Sequence, residues 1–565
     1  MRVAMGQISP AVGDIDGNVE LILDAWRRAA DAGADLVVFT ELAITGYPPE
    51  DLLLKPEFIQ ANIDGLHRLR DEGPAGTVAV VGYVGTAIPG PDMGGLDETV
   101  SARDLRNSAA VIADGRVVGT YNKWRLPNYG VFDEARYFVA DDIPLTVRVR
   151  GVPVGVTICE DLWTEGGAFA QSAATGAKLI VSPNASPYHR GKRAERMRWI
   201  EHHASEDGVW IAWVNQVGGH DDVVFDGDSV LARPDGSAAA RAAQFRPDLV
   251  IVDVDIDEAE VPAADLPGFT GERPELPPHE DEPRLDELEE IYEALVLATR
   301  DYCHRNGFRT AVLGLSGGID SALTAVIAAD ALGGENVTGI AMPSPYSSDH
   351  SLSDAELLAG NLGMPYRVIR ITEAMEAFEA MLAEAFEGRE EDVTEENIQA
   401  RIRGVILMAL SNKFGSILLT TGNKSEIAVG YATLYGDMAG GFAVLKDVPK
   451  TVVYELSRFR NTRGAAIPEG TITKPPSAEL KPGQVDEDSL PDYDTLDDII
   501  EAYVAGDCGI RSIVGRGHDP EVVREVIRLI DRAEFKRRQG APGPKITERA
   551  FGKERRVPIT NGWRG

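Results

Sequence analysis

Cysteine is scarce in this sequence of 565 residues. The three cysteines, Cys159, Cys303 and Cys508, lie far apart, are odd in number and form no CxxC or Cys/His spacing. This pattern argues against a disulfide framework and gives no sign of a zinc site. It is typical of proteins from a reducing compartment, so the sequence predicts a cytoplasmic location.

Long apolar runs and an excess of positive charge are also lacking. No stretch approaches the 18 or so apolar residues of a membrane helix, and the N-terminus has no apolar core of a signal peptide. Lysine and arginine number 56 against 90 aspartates and glutamates, and the formal net charge of −34 would repel nucleic-acid phosphates. We therefore expect neither a membrane nor a nucleic acid as a partner.

The length of the chain exceeds that of one ordinary core, and an apolar fraction of 44% supports globular folding. Six prolines interleaved with acidic residues mark an extended linker at residues 259–284. The sequence therefore predicts a first domain at residues 1–258 and a second at residues 285–565.

The first domain alternates strand-like and helix-like segments. Asn18 is predicted to cap a helix that ends near residue 32. Three polar residues, Glu41, Lys123 and Cys159, come just after predicted strands. Active sites of α/β folds commonly lie at strand ends, so these three residues are the candidates for catalysis.

The three residue types form a chemically sensible set. A thiolate is the attacking form of cysteine, a nearby ammonium lowers the thiol pKa, and a carboxylate can take the proton and return it to a leaving amine. The lysine can also stabilise the oxyanion of a tetrahedral intermediate. The alternative is that each residue is an ordinary core cysteine or a solvated loop charge.

The local sequences FTEL, YNKWRLP and ICEDLW around this trio resemble those of the nitrilase/amidase superfamily. The resemblance implies a four-layer αββα sandwich and cleavage of C–N bonds through a cysteine thioester. By resemblance to glutamine-using members, Tyr129, Ser186 and Lys192 are the candidates for a glutamine pocket.

The second domain contains SGGIDS at residues 316–321, here called the glycine loop, between a predicted buried strand at 311–315 and an alanine-rich helix. Its two glycines let the backbone approach a ligand closely, and the following helix directs its first amides and the positive end of its dipole at that ligand. Such a loop suits a pyrophosphate. It lacks the Gly-Lys-Ser/Thr of the Walker type and resembles the PP-loop of ATP pyrophosphatases.

Further strand and helix alternation predicts a mostly parallel, Rossmann-like sheet with helices on both faces. Because ligands lie outside the carboxyl ends of such strands, the glycine loop and residues 421–426 are expected to face one crevice. A triphosphate there needs Mg²⁺, for which Asp320 and Glu426 are the candidate ligands.

Four further segments resemble the glutamine-dependent NAD⁺ synthetases: TTGNKSE, the run from Tyr435 to Leu456, KPPSAEL and FKRRQ. The resemblance covers residues 3–559 and implies amidation of deamido-NAD⁺ with ATP and glutamine, by a homo-oligomer. It implies deamido-NAD⁺ contacts at Asn397, Glu426 and Lys536, with Asp437, Lys446 and Lys450 as further candidates. It implies ATP contacts at Gly314, Leu315, Ser316, Gly317, Gly318, Ile319, Asp320, Ser321 and Thr421.

The C-terminal basic residues, from Lys536 through Lys545 to Arg556, are the one locally positive stretch of an acidic chain. With GAPGPK between its parts, the stretch is predicted to be a mobile flap that donates to phosphate oxygens. Two alternatives to the whole interpretation stay open. One is another glutamine-fed PP-loop amidotransferase, and the other is an amidohydrolase with a nucleotide-sensing domain.

Overall fold

The computed structural model describes residues 1–86, 105–263, 265–279, 281, 283–477, 479–481, 486 and 490–563. Two compact units share the chain: Met1–His220 with Val224–Leu285, and Asp221–Val223 with Asp286–Gly565. Within the described residues, no helix is both long enough and apolar enough to cross a membrane.

The first unit is built on two large sheets and a small hairpin. The strands are β1 (Arg2–Gln7), β2 (Leu36–Val38), β3 (Val78–Thr86), β4 (Leu105–Ala113), β5 (Arg116–Asn122), β6 (Leu145–Val149), β7 (Val152–Val156), β8 (Leu179–Asn184), β9 (Trp210–Asn215), β10 (Val217–His220), β11 (Val223–Asp226), β12 (Val230–Ala232), β13 (Ala238–Arg241), β14 (Asp248–Asp253) and β15 (Asp265–Leu266). One sheet has the order β14-β1-β2-β3-β4-β5, the other has the order β13-β12-β9-β8-β7-β6-β15, and β10 pairs with β11.

Four helices cover the outer faces of these sheets. They are α1 (Ile15–Asp31), α2 (Pro56–Glu72), α3 (Gly167–Ala174) and α4 (Lys192–Asp207). Along β1, Val3 and Met5 join a core shared with the second sheet, whereas Ala4 between them joins the core formed with α1 and α2. This period of two gives each strand one face toward the other sheet and one toward helices. The predicted four-layer αββα sandwich is confirmed.

The start of α1 differs from the prediction. Asp14, not Asn18, caps the helix, and its carboxylate accepts from the Gly17 amide at 3.1 Å. Asn18 is only 2% exposed and lies inside the helix. Its side chain accepts from the Ala11 amide at 2.8 Å and donates to the Ala11 and Ile44 carbonyls at 2.8 and 3.0 Å. Asn18 therefore joins the helix to the loop that follows β2.

Part of the predicted linker is integrated into the first unit. Asp265 and Leu266 form β15, which runs parallel to β6. Arg273 donates to the buried carboxylate of Asp35 at 2.6 Å, and Phe269 donates to it through its backbone at 3.1 Å. This segment is therefore held on the first unit by backbone pairing and ion pairing.

The second unit contains one five-stranded, fully parallel sheet. Its strands are β16 (Ala311–Gly314), β17 (Val337–Ala341), β18 (Tyr366–Val368), β19 (Ile417–Thr420) and β20 (Phe442–Ala443). They lie in the order β18-β17-β16-β19-β20. The strand order reverses beside β16, so the crevice between the carboxyl ends of β16 and β19 is the topological switch point. The predicted Rossmann-like sheet is confirmed.

Among the described residues, twelve α-helices belong to the second unit. They are α5 (Glu287–Arg305), α6 (Ile319–Leu332), α7 (Asp349–Leu362), α8 (Thr372–Leu382), α9 (Val393–Phe414), α10 (Lys424–Val429), α11 (Lys450–Thr462), α12 (Glu469–Thr473), α13 (Tyr493–Ile500), α14 (Ile510–Val514), α15 (Pro520–Arg532) and α16 (Glu534–Arg537). The residues of α6 are almost all buried, as expected of the helix that follows the first strand of a doubly wound sheet.

Two residues of the basic C-terminal stretch are buried in ion pairs. Lys545 lies 2.8 Å from Glu554, and Arg555 lies 3.2 Å from Asp531, with both cations less than a tenth exposed. In this structure each of these two residues is paired with a carboxylate of the same unit, and the mobile flap stays a prediction.

We expect Asn18→Ala to destabilise the first unit by about 3 kcal/mol, since it removes buried hydrogen bonds and leaves two carbonyls and an amide without that partner. Asp14→Ala should cost only about 1 kcal/mol, as for an ordinary helix cap. Urea unfolding followed by tryptophan fluorescence measures both, because every tryptophan but Trp563 lies in the first unit. An equal or larger loss of stability in the Asp14 variant would contradict this assignment of roles.

Candidate active sites

Glu41, Lys123 and Cys159 follow β2, β5 and β7, and all three are buried, with exposures of 0%, 1% and 3%. The first two strands belong to one sheet and the third to the other. Lys123 Nζ donates to Glu41 Oε1 at 2.6 Å. The charges of both residues also act on the Cys159 thiol. The structure therefore brings the predicted trio together between the two sheets, in what we call the first site.

A second carboxylate, that of Glu134, completes the surroundings of Lys123. Lys123 Nζ donates to Glu134 Oε1 at 2.8 Å, and the Tyr47 hydroxyl donates to the same oxygen at 2.8 Å. The Asn107 amide donates to Glu41 Oε1 at 2.7 Å. Burial lowers the pKa of Lys123, but the charges of Glu134 and Glu41 outweigh it and hold that pKa well above its ordinary value. The lysine is therefore a permanent cation.

Burial also acts on the acids of this site. It raises the pKa of Glu134 to about 7, although the Lys123 charge opposes the shift and the Glu41 charge adds to it. Burial, and next the Glu41 charge, raise the pKa of the Cys159 thiol well above its ordinary value, against the effect of Lys123. Cys159 therefore rests as a protonated thiol, beside a carboxylate able to take its proton.

The backbone at Cys159 has an unusual conformation. Cys159 has a φ of +42°, in the left-handed region that side-chain-bearing residues rarely adopt. The backbone amide of Ala185 donates to Glu41 Oε2 at 3.0 Å and also hydrogen-bonds Cys159. This amide thus links the acid, the thiol and the loop that carries Ser186.

Two of the three residues predicted for a glutamine pocket interact with one carboxylate, that of Glu160. The Tyr129 hydroxyl donates to its two oxygens at 3.0 and 3.1 Å, and the Lys192 charge acts on it. Lys192 Nζ lies 3.8 Å from the centre of the Trp163 ring. Burial lowers the pKa of Lys192 and raises that of Glu160. Ser186, the residue that follows Ala185, is also buried.

The second unit has a cavity of about 320 Å³ outside the carboxyl ends of β16 and β19. All but one of the residues predicted to contact ATP line it, as do Glu426, Asp437, Lys446 and Lys450. The exception is Gly317, whose φ is +76° and where a Cβ atom would meet the Ser351 carbonyl oxygen at 2.4 Å. Glycine is required there because the loop packs against the start of α7. We call this cavity the second site.

The glycine loop is held by its own hydroxyl groups. The Ser321 hydroxyl donates to the Gly318 carbonyl at 2.9 Å and accepts from the Ser316 amide at 3.3 Å. Ser316 Oγ accepts from the Gly318 amide at 3.2 Å. The helix α6 begins within the glycine loop, at Ile319, so its N-terminal amides and dipole are available to an anion in the cavity.

The two predicted metal ligands are joined by a lysine. Lys450 Nζ lies 2.5 Å from Asp320 Oδ2 and 3.3 Å from Glu426 Oε1. Burial raises the pKa of Glu426 to about 8, although Lys450 opposes the shift and the charge of Asp320 adds to it. Asn423 donates to the other Asp320 oxygen at 2.8 Å.

Asn397 and Lys536, predicted to contact deamido-NAD⁺, support the cavity wall. Asn397 Oδ1 accepts from the Thr433 hydroxyl at 2.8 Å. Lys536 Nζ donates to the carbonyls of Gly430 and Ala432, both at 2.8 Å, and Ala432 lines the cavity. Both side chains thus fix the segment that precedes Asp437.

Sequence reasoning missed Glu134 and Arg403. Arg403 lines the cavity, and burial lowers the pKa of its guanidinium against the charges of Glu479 and Asp437. Its neighbours on the cavity face of α9 are Ala400, Gly404 and Leu407. Their spacing of three and four residues is the helical signal that could have singled out Arg403 over the exposed Arg401. Glu134 lies in a short turn and gives no such signal.

Two family models match the chain. Residues 2–261 match the carbon-nitrogen hydrolase family, and residues 291–540 match the NAD synthase family. The two matches together span most of the chain.

Named relatives match over the full length. The chain is 45% identical to the "Glutamine-dependent NAD(+) synthetase" of Acinetobacter baylyi, covering 100% of this chain and 99% of the relative. It is also 45% identical to the protein of the same name from Thermotoga maritima, covering 99% and 98%. A solved glutamine-dependent NAD+ synthetase of Acinetobacter baumannii, in complex with ADP, is 42% identical with a TM-score of 0.76, covering 100% and 99%.

The electrostatics of the first site predict the reactivity of Cys159. We expect Glu41→Gln to speed alkylation of Cys159 by iodoacetamide at pH 8 by about tenfold, because it removes a nearby negative charge that raises the thiol pKa and so disfavours the thiolate. Mass spectrometry of the Cys159 peptide measures the rate. Glu134→Gln is the matched control, since it removes the other carboxylate bound to Lys123 and should change the rate less. Slower alkylation in Glu41→Gln would mean that Glu41 already holds the thiol proton at rest.

Proposed function

The chain belongs to the glutamine-dependent NAD(+) synthetase family, and we infer that it is a ligase that amidates deamido-NAD⁺ to NAD⁺ with ATP and glutamine. The products are NAD⁺, AMP, diphosphate and glutamate. The observation that carries this function is the full-length identity of 45% to relatives of that name, across both the hydrolase-like and the synthase-like unit.

In the first site, Cys159 attacks the side-chain amide of glutamine. Glu41 takes the thiol proton and returns it to the leaving ammonia. Lys123 stabilises the oxyanion. Water, activated by Glu41, then cleaves the thioester and releases glutamate. The hydrogen bonds that hold Lys123 and Glu41 in place support this assignment of roles.

Glutamine itself is held by its amino-acid end. Lys192 pairs with the α-carboxylate, and Tyr129 and Ser186 supply hydroxyl groups. We add Glu160 to this pocket as the partner of the α-ammonium group. The Glu160 carboxylate is partly buried, and the Tyr129 hydroxyl that donates to it fixes its orientation.

In the second site, the glycine loop from Ser316 to Ser321, with Gly314, Leu315 and Thr421, binds ATP. An oxygen of the nicotinate carboxylate attacks the α-phosphorus and displaces diphosphate. Ammonia then attacks the acyl carbon of the adenylate and displaces AMP. Asn397, Glu426 and Lys536 contact deamido-NAD⁺, and Arg403 supplies a partly buried cation to the cavity.

The donor set of the second site fits Mg²⁺. In the part of the chain that the structure describes, no three His, Cys, Asp or Glu side chains cluster as a metal site. Mg²⁺ requires no such cluster, since it binds one or two carboxylates together with phosphate oxygens and waters. Asp320 and Glu426 would hold it, where it would neutralise charge on the phosphates.

We propose that the protein acts in the cytoplasm, since its three cysteines are free thiols, as in a reducing compartment. We also propose a homo-oligomer. Helix α8 has no buried residue although its composition is apolar on average, and Met381 on it is 67% exposed. Val393, Val405 and Phe414 on α9 are each more than 60% exposed. Helices α8 and α9 contact each other, and we assign their exposed apolar residues Met381 and Val405 to a subunit interface.

Cys159→Ala should abolish NAD⁺ synthesis from glutamine and leave synthesis from ammonium salts, because only the first site needs the thiol. Asp320→Asn should leave glutamine hydrolysis and remove synthesis from either nitrogen source, by at least about a hundredfold. Mass spectrometry of products made with side-chain-¹⁵N glutamine measures both activities. Cys303→Ala, at a buried cysteine of the second unit, is the matched control and should retain both. The proposed function fails if ¹⁵N never enters the carboxamide of NAD⁺.

Val405→Glu combined with Met381→Glu should reduce the mass in solution toward that of the 60.9 kDa chain, because charges would be buried in the interface. Light scattering after size-exclusion chromatography measures this mass. Ile143→Glu, at an equally exposed side chain of the first unit, is the control and should not change it. An unchanged oligomer in the double variant would place the interface elsewhere.

A further inference from the structure

The carboxylates that we assign to Mg²⁺ already have a cation between them. Lys450 is 1% exposed, and its Nζ lies 2.5 Å from Asp320 and 3.3 Å from Glu426. The face of the Tyr493 ring lies 5.3 Å from the same nitrogen. Two carboxylates thus share one ammonium. With both acids ionised, the three groups have a formal charge of −1.

The backbone of Lys450 is fixed to the element that carries Glu426. Lys450 is the first residue of α11, and its amide donates to Ser425 Oγ at 2.8 Å. The Ser425 hydroxyl in turn donates to Asp497, which also accepts from the Thr451 amide at 3.0 Å. Since these bonds hold the start of α11, only the side chain of Lys450 can change its partner.

A divalent cation that approaches Asp320 and Glu426 without a nucleotide is repelled by the Lys450 ammonium. The repulsion between them acts in a buried setting, where charges interact more strongly than in water. The two carboxylates also supply too few oxygens for Mg²⁺ without phosphates. Nucleotide phosphates bring both of the missing elements: further oxygen ligands for the metal and a new anionic partner for Lys450.

We propose that Lys450 is the resident counter-cation of this carboxylate pair, and that it makes entry of the divalent metal depend on nucleotide. At rest the ammonium neutralises half of the formal charge of Asp320 and Glu426. When ATP binds, the ammonium turns to the phosphates and the metal takes its place between the carboxylates. The proposal rests on the proposed function, which assigns the metal to these two residues.

Mn²⁺ binding to the full-length protein without nucleotide tests this directly, with the electron paramagnetic resonance signal of free Mn²⁺ as the readout. Lys450→Met should bind Mn²⁺ at least about tenfold more tightly than the wild type, because the competing charge is gone. Lys450→Arg keeps the charge and should bind as weakly as the wild type. Equal or weaker binding in Lys450→Met overturns the proposal.

Two further measurements keep the test decisive. If circular dichroism shows Lys450→Met to be unfolded, Lys450→Gln takes its place, since its amide can still donate to a carboxylate. In the wild type, Mg²⁺ alone should leave the thermal midpoint unchanged, whereas Mg²⁺ with α,β-methylene-ATP should raise it. A similar rise with Mg²⁺ alone overturns the proposal.

Glu426→Gln separates this inference from the proposed function. With α,β-methylene-ATP present, it should weaken Mn²⁺ binding by about tenfold or more if the metal lies between the carboxylates. An unweakened Glu426→Gln removes the metal from this pair and overturns both the metal assignment and the role of Lys450, while the ¹⁵N experiment tests the proposed function separately. A weakened Glu426→Gln beside an unchanged Lys450→Met overturns only the role of Lys450.

Discussion

A buried lysine between two carboxylates is the interaction on which both sites depend. Lys123 lies between Glu41 and Glu134 in the first unit, at 2.6 and 2.8 Å, and Lys450 occupies the corresponding place in the second. Removing one partner from such a group leaves an uncompensated buried charge, which costs several kcal/mol. Each ammonium therefore constrains the carboxylates more strongly than a surface ion pair could. The geometry of the reacting groups follows from these constraints.

In both units, charged residues of these clusters lie at or shortly after the ends of strands. A strand that has completed its ladder hydrogen bonds can direct the next side chain into the space between layers. Lys123 directly follows β5 in this way. Asp320 lies after β16, in the first turn of α6. The second sheet adds one more requirement, because Gly317 must pass close to the start of α7 and so cannot carry a side chain. Packing and chemistry meet at the same few residues.

These strand ends explain how much of the protein could be predicted from its sequence. Buried strands are continuous apolar runs, so Glu41 and Cys159 could be selected as the polar residues that follow them. Lys123 could be selected because it follows a strand-like segment, although that strand is partly exposed. Glu134 could not, because it lies in a short turn and its role arises only when tertiary folding brings it to Lys123. Asn18 was mistaken for a cap because Asn is a common cap residue, whereas Asp14 fulfils that role and the buried loop contacts of Asn18 are long-range. Local patterns thus predicted the scaffold and missed the partners that long-range contacts supply.

The two lysine clusters also account for how the resting protein avoids unproductive chemistry. In the first site, the charge of Glu41 opposes ionisation of Cys159, so the nucleophile forms only as the carboxylate takes its proton. In the second, Lys450 occupies the carboxylates that the metal would use. Under the proposed roles, the substrate relieves each restraint: the carbonyl carbon of glutamine accepts the sulfur in the first site, and the nucleotide phosphates accept the ammonium in the second. Both restraints act through buried charges, which interact more strongly than charges in water.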